Sequence, residues 1–398
     1  MSDFEIVCEK LDQAVEVLVE KEIDLWITFV RETTQAGDPC MDLLLGFDLT
    51  WESALMISRT GERIAIVGRF DMDNVERVGG YTTIVGYDQS MRELLLEHLA
   101  RLDPRQVALN FSLSDPASDG LTHGMYLLLS RMLADTEYAN RFVSAEGLIG
   151  ALRGRKSPAE VALIKAAVQE TVSIFRRAGE WIRPGLAARE IARWFHDAAA
   201  EGGMGTSWES DYCPVVTPGP DAPLGHAMPG DFATQRGHLL QVDFGVSKHG
   251  FVADLQRTWY LLDTDAGETE PPSEVLAGWK AARAALEAGR AALRPGVQGW
   301  QVDQAAREML TQAGYPEYLH AFGHHVGRTA HDGATVLGPQ WERYGTLVDG
   351  VIEVGNVFAI ELGVQVPGRG YIGCEEDVLV TPDGAEYLGE PQTELWCV

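Results

Sequence analysis

Three carboxylates stand in apolar surroundings that would ordinarily exclude them, and a fourth acid shares a strand hairpin with one of them. Asp243 lies in LLQVDFGV, Asp254 in FVADLQRTWYL, Glu361 in VFAIELGV, and Glu375 in the stretch ending EEDVLVT. A charged carboxylate inside an apolar strand costs several kcal/mol to desolvate unless it is paired or binds a cation. Taken singly, each such acid is more often a strand-end or edge group facing water. Taken together with His324, in the glycine-flanked segment GHHVG, they demand a strong positive centre. Two divalent ions bring four positive charges against four negative ones, and His324 then serves as a neutral ligand. Oxygen-dominated ligation with one imidazole suits manganese, cobalt or zinc. Two such ions about 3.5 to 4 Å apart share a hydroxide, lower its pKa and polarise a carbonyl, so hydrolysis of an amide is the implied reaction.

The acids come in pairs, each pair on a strand hairpin. One hairpin turns around Ser247 to Gly250 and the other around Pro367 to Gly370. Each is preceded by two helices, and the helices of each pair are separated by the same tripeptide, Arg183-Pro184-Gly185 and then Arg294-Pro295-Gly296. A repeated tripeptide is weak alone. The matching order of helices and acidic hairpins makes it the mark of an internal duplication. This half opens at Ser157-Pro158-Ala159-Glu160, where a capping serine, a proline in the first turn and a glutamate satisfy the free amides of a helix start. Upstream, apolar runs such as LWITFV, SALMIS and RIAIV alternate with helical stretches, which predicts an α/β domain without a catalytic constellation. The expected division is 1–152 and 153–398.

Composition narrows the partners. With 32 Lys+Arg against 59 Asp+Glu the net charge is −27, which repels nucleic acid and anionic membranes. No apolar run reaches the roughly 18 to 20 residues that span a bilayer. The start MSDFEIVCEKLDQ lacks the basic and then apolar order of a secretory signal, and the five cysteines are scattered without a CxxC pair. A reducing cytoplasm is the expected location.

From about residue 156 to 385 the chain resembles the pita-bread metallopeptidases, which include methionine aminopeptidase, aminopeptidase P, prolidase and the metal-free creatinase. The resemblance rests on VDFG, ADLQRT, GHHVG, AIEL and CEEDVLVT in family order. It implies metal ligation by Asp243, Asp254, His324, Glu361 and Glu375, and it selects His324 over His325, which is then structural. It further implies that His331 donates to the carbonyl oxygen, that His226 contacts substrate near the scissile nitrogen, and that His320 lines the pocket for the residue after the cut. Glu361 would also move the proton from water to the leaving amine.

The implied fold is α/β (α+β): a creatinase/prolidase-like N-terminal α/β domain followed by a pita-bread domain with pseudo-twofold duplication. The N-terminal domain argues against methionine aminopeptidase, and the complete ligand set argues against creatinase. What remains is hydrolysis of Xaa-Pro bonds, with the dipeptide favoured and Xaa-Pro aminopeptidase action on longer peptides as the alternative. An inert binding module and an esterase or amidase on non-peptide substrates are the rivals from other classes. The resemblance also implies a homodimer. Three positions depart from the family pattern: Leu362 and Gln365 replace its proline and tyrosine, and Gly373 replaces an arginine.

Overall fold

The apolar runs of the N-terminal half become strands whose alternating residues face two different helical layers. The computed structural model describes residues 3–225 and 227–398, and it divides into two compact units, Met1–Arg153 and Gly154–Val398. In the first unit six strands pair in the order Thr83–Tyr87, Arg63–Gly68, Ser53–Ser58, Leu25–Val30, Val107–Leu109, Phe142–Ser144. Leu25, Ile27 and Phe29 face one core with the Arg92–Leu102 and His123–Met132 helices. Trp26 and Val30 face the other, with the Asp3–Glu20 helix. Burial on both faces explains why these strands read as continuous apolar runs.

The second unit begins with the helix Pro158–Trp181. Its start carries the expected capping box, Ser157 accepting from the Glu160 amide while Glu160 accepts from that of Ser157. Two helix pairs follow the anticipated order, Pro158–Trp181 with Ala188–Glu201 and Ser273–Ala292 with Gly299–Gln312. The duplication extends to single hydrogen bonds. Gly185 N donates to Thr234 O and Gly296 N to Ile352 O, at 2.8 and 2.9 Å. Thr234 N returns to Leu186 O, and Ile352 N to Val297 O. Gly185 and Gly296 take φ of 91° and 88°, left-handed values that a side chain would strain, which explains the glycine that ends each Arg-Pro-Gly.

The main sheet runs in the order Val336–Leu337, Gly323–His325, Val357–Val366, Gly370–Thr381, Leu255–Tyr260, Leu239–Phe244, Val215–Pro218, so the two acidic hairpins lie side by side at its centre. Even-numbered residues of the second hairpin, including Phe358, Ile360, Ile372 and Cys374, pack with Val275 and Trp279 of the Ser273–Ala292 helix. Odd-numbered ones face away from that helix layer. The first hairpin is less regular than its sequence suggests. After Leu239–Phe244 the chain leaves the sheet, and Val246–Lys248 pairs with Phe251–Val252 and Gly205–Thr206 instead. The switch occurs at Gly245, where a Cβ would fall 1.7 Å from Ala253 O. Asp254 therefore occupies the re-entry point before Leu255–Tyr260 rather than the middle of a strand.

Candidate metal centre

Strand register assembles the site. Asp243 lies opposite Gln256, Gln256 opposite Glu375, and Glu375 opposite Glu361, so one row of side chains crosses four strands on a single face. Asp254, two residues before Gln256, joins that face. His324 enters it from the next strand, opposite Ala359 and two residues out of register with Glu361. Like charges directly opposite one another destabilise a sheet, so the Glu361–Glu375 pairing requires a compensating cation or bound protons.

The donors present are few. Gln256 Nε2 and Tyr318 Oη each donate to Glu361 Oε2 at 3.2 Å. Gln241 Nε2 holds Gln256 Oε1 at 3.0 Å. The Asp254 amide donates to Asp377 Oδ2 at 3.0 Å, which fixes the backbone at the re-entry point. Asp243 Oδ1 and Glu375 Oε2 are buried and accept no hydrogen bond from the described residues. Ligand atoms of Asp254, His324 and Glu375 lie within 4.8 Å of one another. Buried carboxylate oxygens rarely go unsatisfied, so convergent ones with a neighbouring imidazole fit divalent cations.

Burial, followed by the neighbouring acids, pushes Asp243, Asp254 and Glu375 well above the carboxylate range. Glu361 rises to about 7, mainly through burial, with Tyr318 and Gln256 opposing. His324 falls to about 3 through burial and the nearby His331. Its imidazole is therefore neutral at neutral pH, as a ligand must be.

The other sequence-predicted residues are distributed as follows. His331 meets His324 edge to face, ring centroids 4.2 Å apart. His320 is exposed at the cavity wall, 5.6 Å from Tyr318 between ring centroids. His325 points to the opposite side of its strand, where it packs on Phe358 at 4.1 Å. His226 lies outside the described residues. The cavity above the acids is about 730 Å³, walled by Trp208, Tyr212, Tyr315 and Tyr371 and rimmed by Leu224, Met228 and Leu319. Gln241, Gln256, Tyr318 and Tyr371 were not anticipated from sequence. Alternation from Asp254 would have placed Gln256 on the acidic face, but nothing local marks Tyr318.

The departures from the family pattern have a geometric counterpart. A Cβ at Gly373 would lie 2.2 Å from Gln256 Oε1, so the amide occupies the space an arginine would enter. A Cβ at Gly363 would lie 1.9 Å from Tyr371 Oη, and Tyr371 stands directly across from Gln365.

The pattern of metallopeptidase family M24 matches residues 162–382. An uncharacterised peptidase of Staphylococcus saprophyticus is 27% identical over 385 residues, 95% of this chain and 98% of the relative. The Xaa-Pro dipeptidase of Pyrococcus furiosus is 26% identical over 327 residues, 80% of this chain and 89% of its own. Among solved structures, the Xaa-Pro dipeptidase from Bacillus anthracis superposes with a TM-score of 0.75 at 22% identity, covering 98% of this chain and 100% of that one.

Proposed function

This chain belongs to metallopeptidase family M24, and on that premise we propose that it hydrolyses the Xaa-Pro bond of dipeptides with two divalent ions held by Asp243, Asp254, His324, Glu361 and Glu375. The observation that carries the reading is the row of acids whose buried oxygens, Asp243 Oδ1 and Glu375 Oε2, have no hydrogen-bond partner among the described residues. When bound, the ions supply Lewis acidity that acidifies water and polarises a carbonyl.

The side chains supply the rest. Glu361 takes the proton from the attacking water and delivers it to the leaving nitrogen, its Oε2 steadied by Tyr318 and Gln256. His331, against His324, donates to the carbonyl oxygen as negative charge develops there. His226 and His320 contact the substrate on either side of the cut. Proline offers no N–H, so recognition rests on the carbonyl and on the aromatic walls.

Manganese, cobalt and zinc all suit this donor set. Absence of disulfides among the described cysteines is consistent with the cytoplasm, and no helix among the described residues is long and apolar enough to cross a membrane. A homodimer completes the reading, to be checked by light scattering.

A second reading, cleavage of longer Xaa-Pro peptides, is favoured by the rim. Leu224, Met228 and Leu319 are 53%, 67% and 69% exposed, and no Lys or Arg is found among the described lining residues to meet a dipeptide's terminal carboxylate. The test is chelator-treated protein given manganese, cobalt or zinc and assayed on Leu-Pro and Leu-Pro-Pro. Metal-dependent proline release from Leu-Pro is expected. Cleavage of Leu-Pro-Pro alone selects the second reading, and absence of both activities together with absence of bound metal overturns the enzyme.

A further inference from the structure

We propose that Lys156 is a positioning residue for His331, acting through a buried ion pair with Asp332. The inference rests on the reading that His331 acts at the site.

Lys156 Nζ and Asp332 Oδ2 are 2.7 Å apart, with side chains 1% and 4% exposed. Both ends are anchored by backbone. The Lys156 amide donates to Gly355 O at 3.0 Å, and the next residue, Ser157, caps the Pro158–Trp181 helix. The Asp332 amide donates to His325 O at 2.9 Å. Between them the chain from 326 to 332 folds into a tight loop: Gly327 N donates to Thr329 O, and Thr329 Oγ1 to His331 O at 2.9 Å. Asp332 is thus the closing post of the loop whose last residue before it is His331.

Gly327 is shaped to this pair. A Cβ there would lie 2.1 Å from Asp332 Oδ2 and 2.8 Å from Lys156 Cε, so any side chain would force the ions apart. A buried ion pair is a poor route to stability, because an apolar pair of similar volume is often as stable or more so. It does impose one geometry, which an apolar contact does not. His331 itself is exposed to the cavity, and its ring must stay edge to face on His324 to be useful. An apolar packing contact could slide; the charge pair fixes the backbone that carries the ring.

The test uses full-length, metal-loaded protein carrying Lys156→Met with Asp332→Leu, because either change alone strands a buried charge and endangers folding. We expect an unfolding temperature and a manganese affinity like wild type, with kcat down roughly 10- to 100-fold and KM little changed, as misplacement by about 1 Å produces. Adding His331→Ala to the pair should cost no more than it already has lost, since both changes disable one group. A well-folded double variant with wild-type kcat, or full multiplication of the two losses, overturns the inference. His331→Ala alone without effect removes the role of His331 instead, and the inference with it. Independently of turnover, the His331 ring protons should lose in the double variant the NMR shift imposed by the His324 ring; an unchanged shift also refutes positioning.

Discussion

Asp38 in the first unit and Glu375 in the second are both buried carboxylates, yet their oxygens meet opposite surroundings. Asp38 Oδ1 accepts the Cys40 amide and Oδ2 the Asn110 side chain, each at 2.8 Å. Asn110 is in turn held by Trp26 at 2.6 Å and donates to Thr28 at 3.1 Å. Glu375 Oε2 has no hydrogen-bond partner among the described residues. The contrast sharpens at the next residue. Glu376 points to the helix side of the same strand, where Arg257 reaches it at 3.0 Å and Arg283 at 3.6 Å. A carboxylate that the fold satisfies from within serves the fold; one left incomplete beside an imidazole and other converging acids fits a bound cation.

That contrast can be tested most severely at Glu361. Glu361→Gln should lower turnover about 10²- to 10⁴-fold while the metal-free protein unfolds no earlier than wild type. Retained turnover would mean that the proton is carried elsewhere.

The next largest effect separates the neighbouring glutamates. Arg257→Met leaves Glu376 without its nearest cation and should cost about 3–5 kcal/mol in denaturant unfolding. Glu375→Gln should instead leave the metal-free fold intact and abolish tight manganese binding in titration calorimetry. If both variants lose stability alike, the two sides of the strand are not different in kind.

Protons give a subtler probe. The acids of the site have folded-state pKa values above their ordinary ones, Glu361 reaching about 7. Summed over these four acids the folded protein binds more protons than the unfolded chain; His324, lowered to about 3, opposes them below about pH 6.5 but is outnumbered, so stability falls as pH rises from about 4.5 towards 7. Metal-free protein should accordingly melt lower at pH 7.5 than at pH 5. Excess manganese should reverse the order, because the ions replace those protons. The smallest change is expected in the first unit, where Asp38→Ala should cost about 1–3 kcal/mol through the unsatisfied Asn110 and Cys40 donors and leave manganese affinity untouched.

Local pattern was enough to mark the acidic hairpins, the capped helix at Ser157 and the duplicated Arg-Pro-Gly turns. Each is decided within a few residues: an acid among apolar neighbours is anomalous wherever the strand goes, and a left-handed turn needs its glycine locally. The same locality misled at the first hairpin, where FVADLQRTWYL reads as one strand. Gly245 must pass close to Ala253 O, and that close approach, invisible in the pattern, breaks the strand before Asp254.

By itself, then, the amino-acid order determined which residues could not be buried without a cation and how the elements carrying them repeat. Only the tertiary structure decided what surrounds them. The register that aligns Asp243, Gln256, Glu375 and Glu361, the hydroxyl of Tyr318 on Glu361, and the reach of Lys156 to Asp332 across 176 residues all join distant segments. Such contacts depend on how strands register and pack, and the free energy that selects them belongs to the whole sheet and its helices rather than to any short stretch of chain.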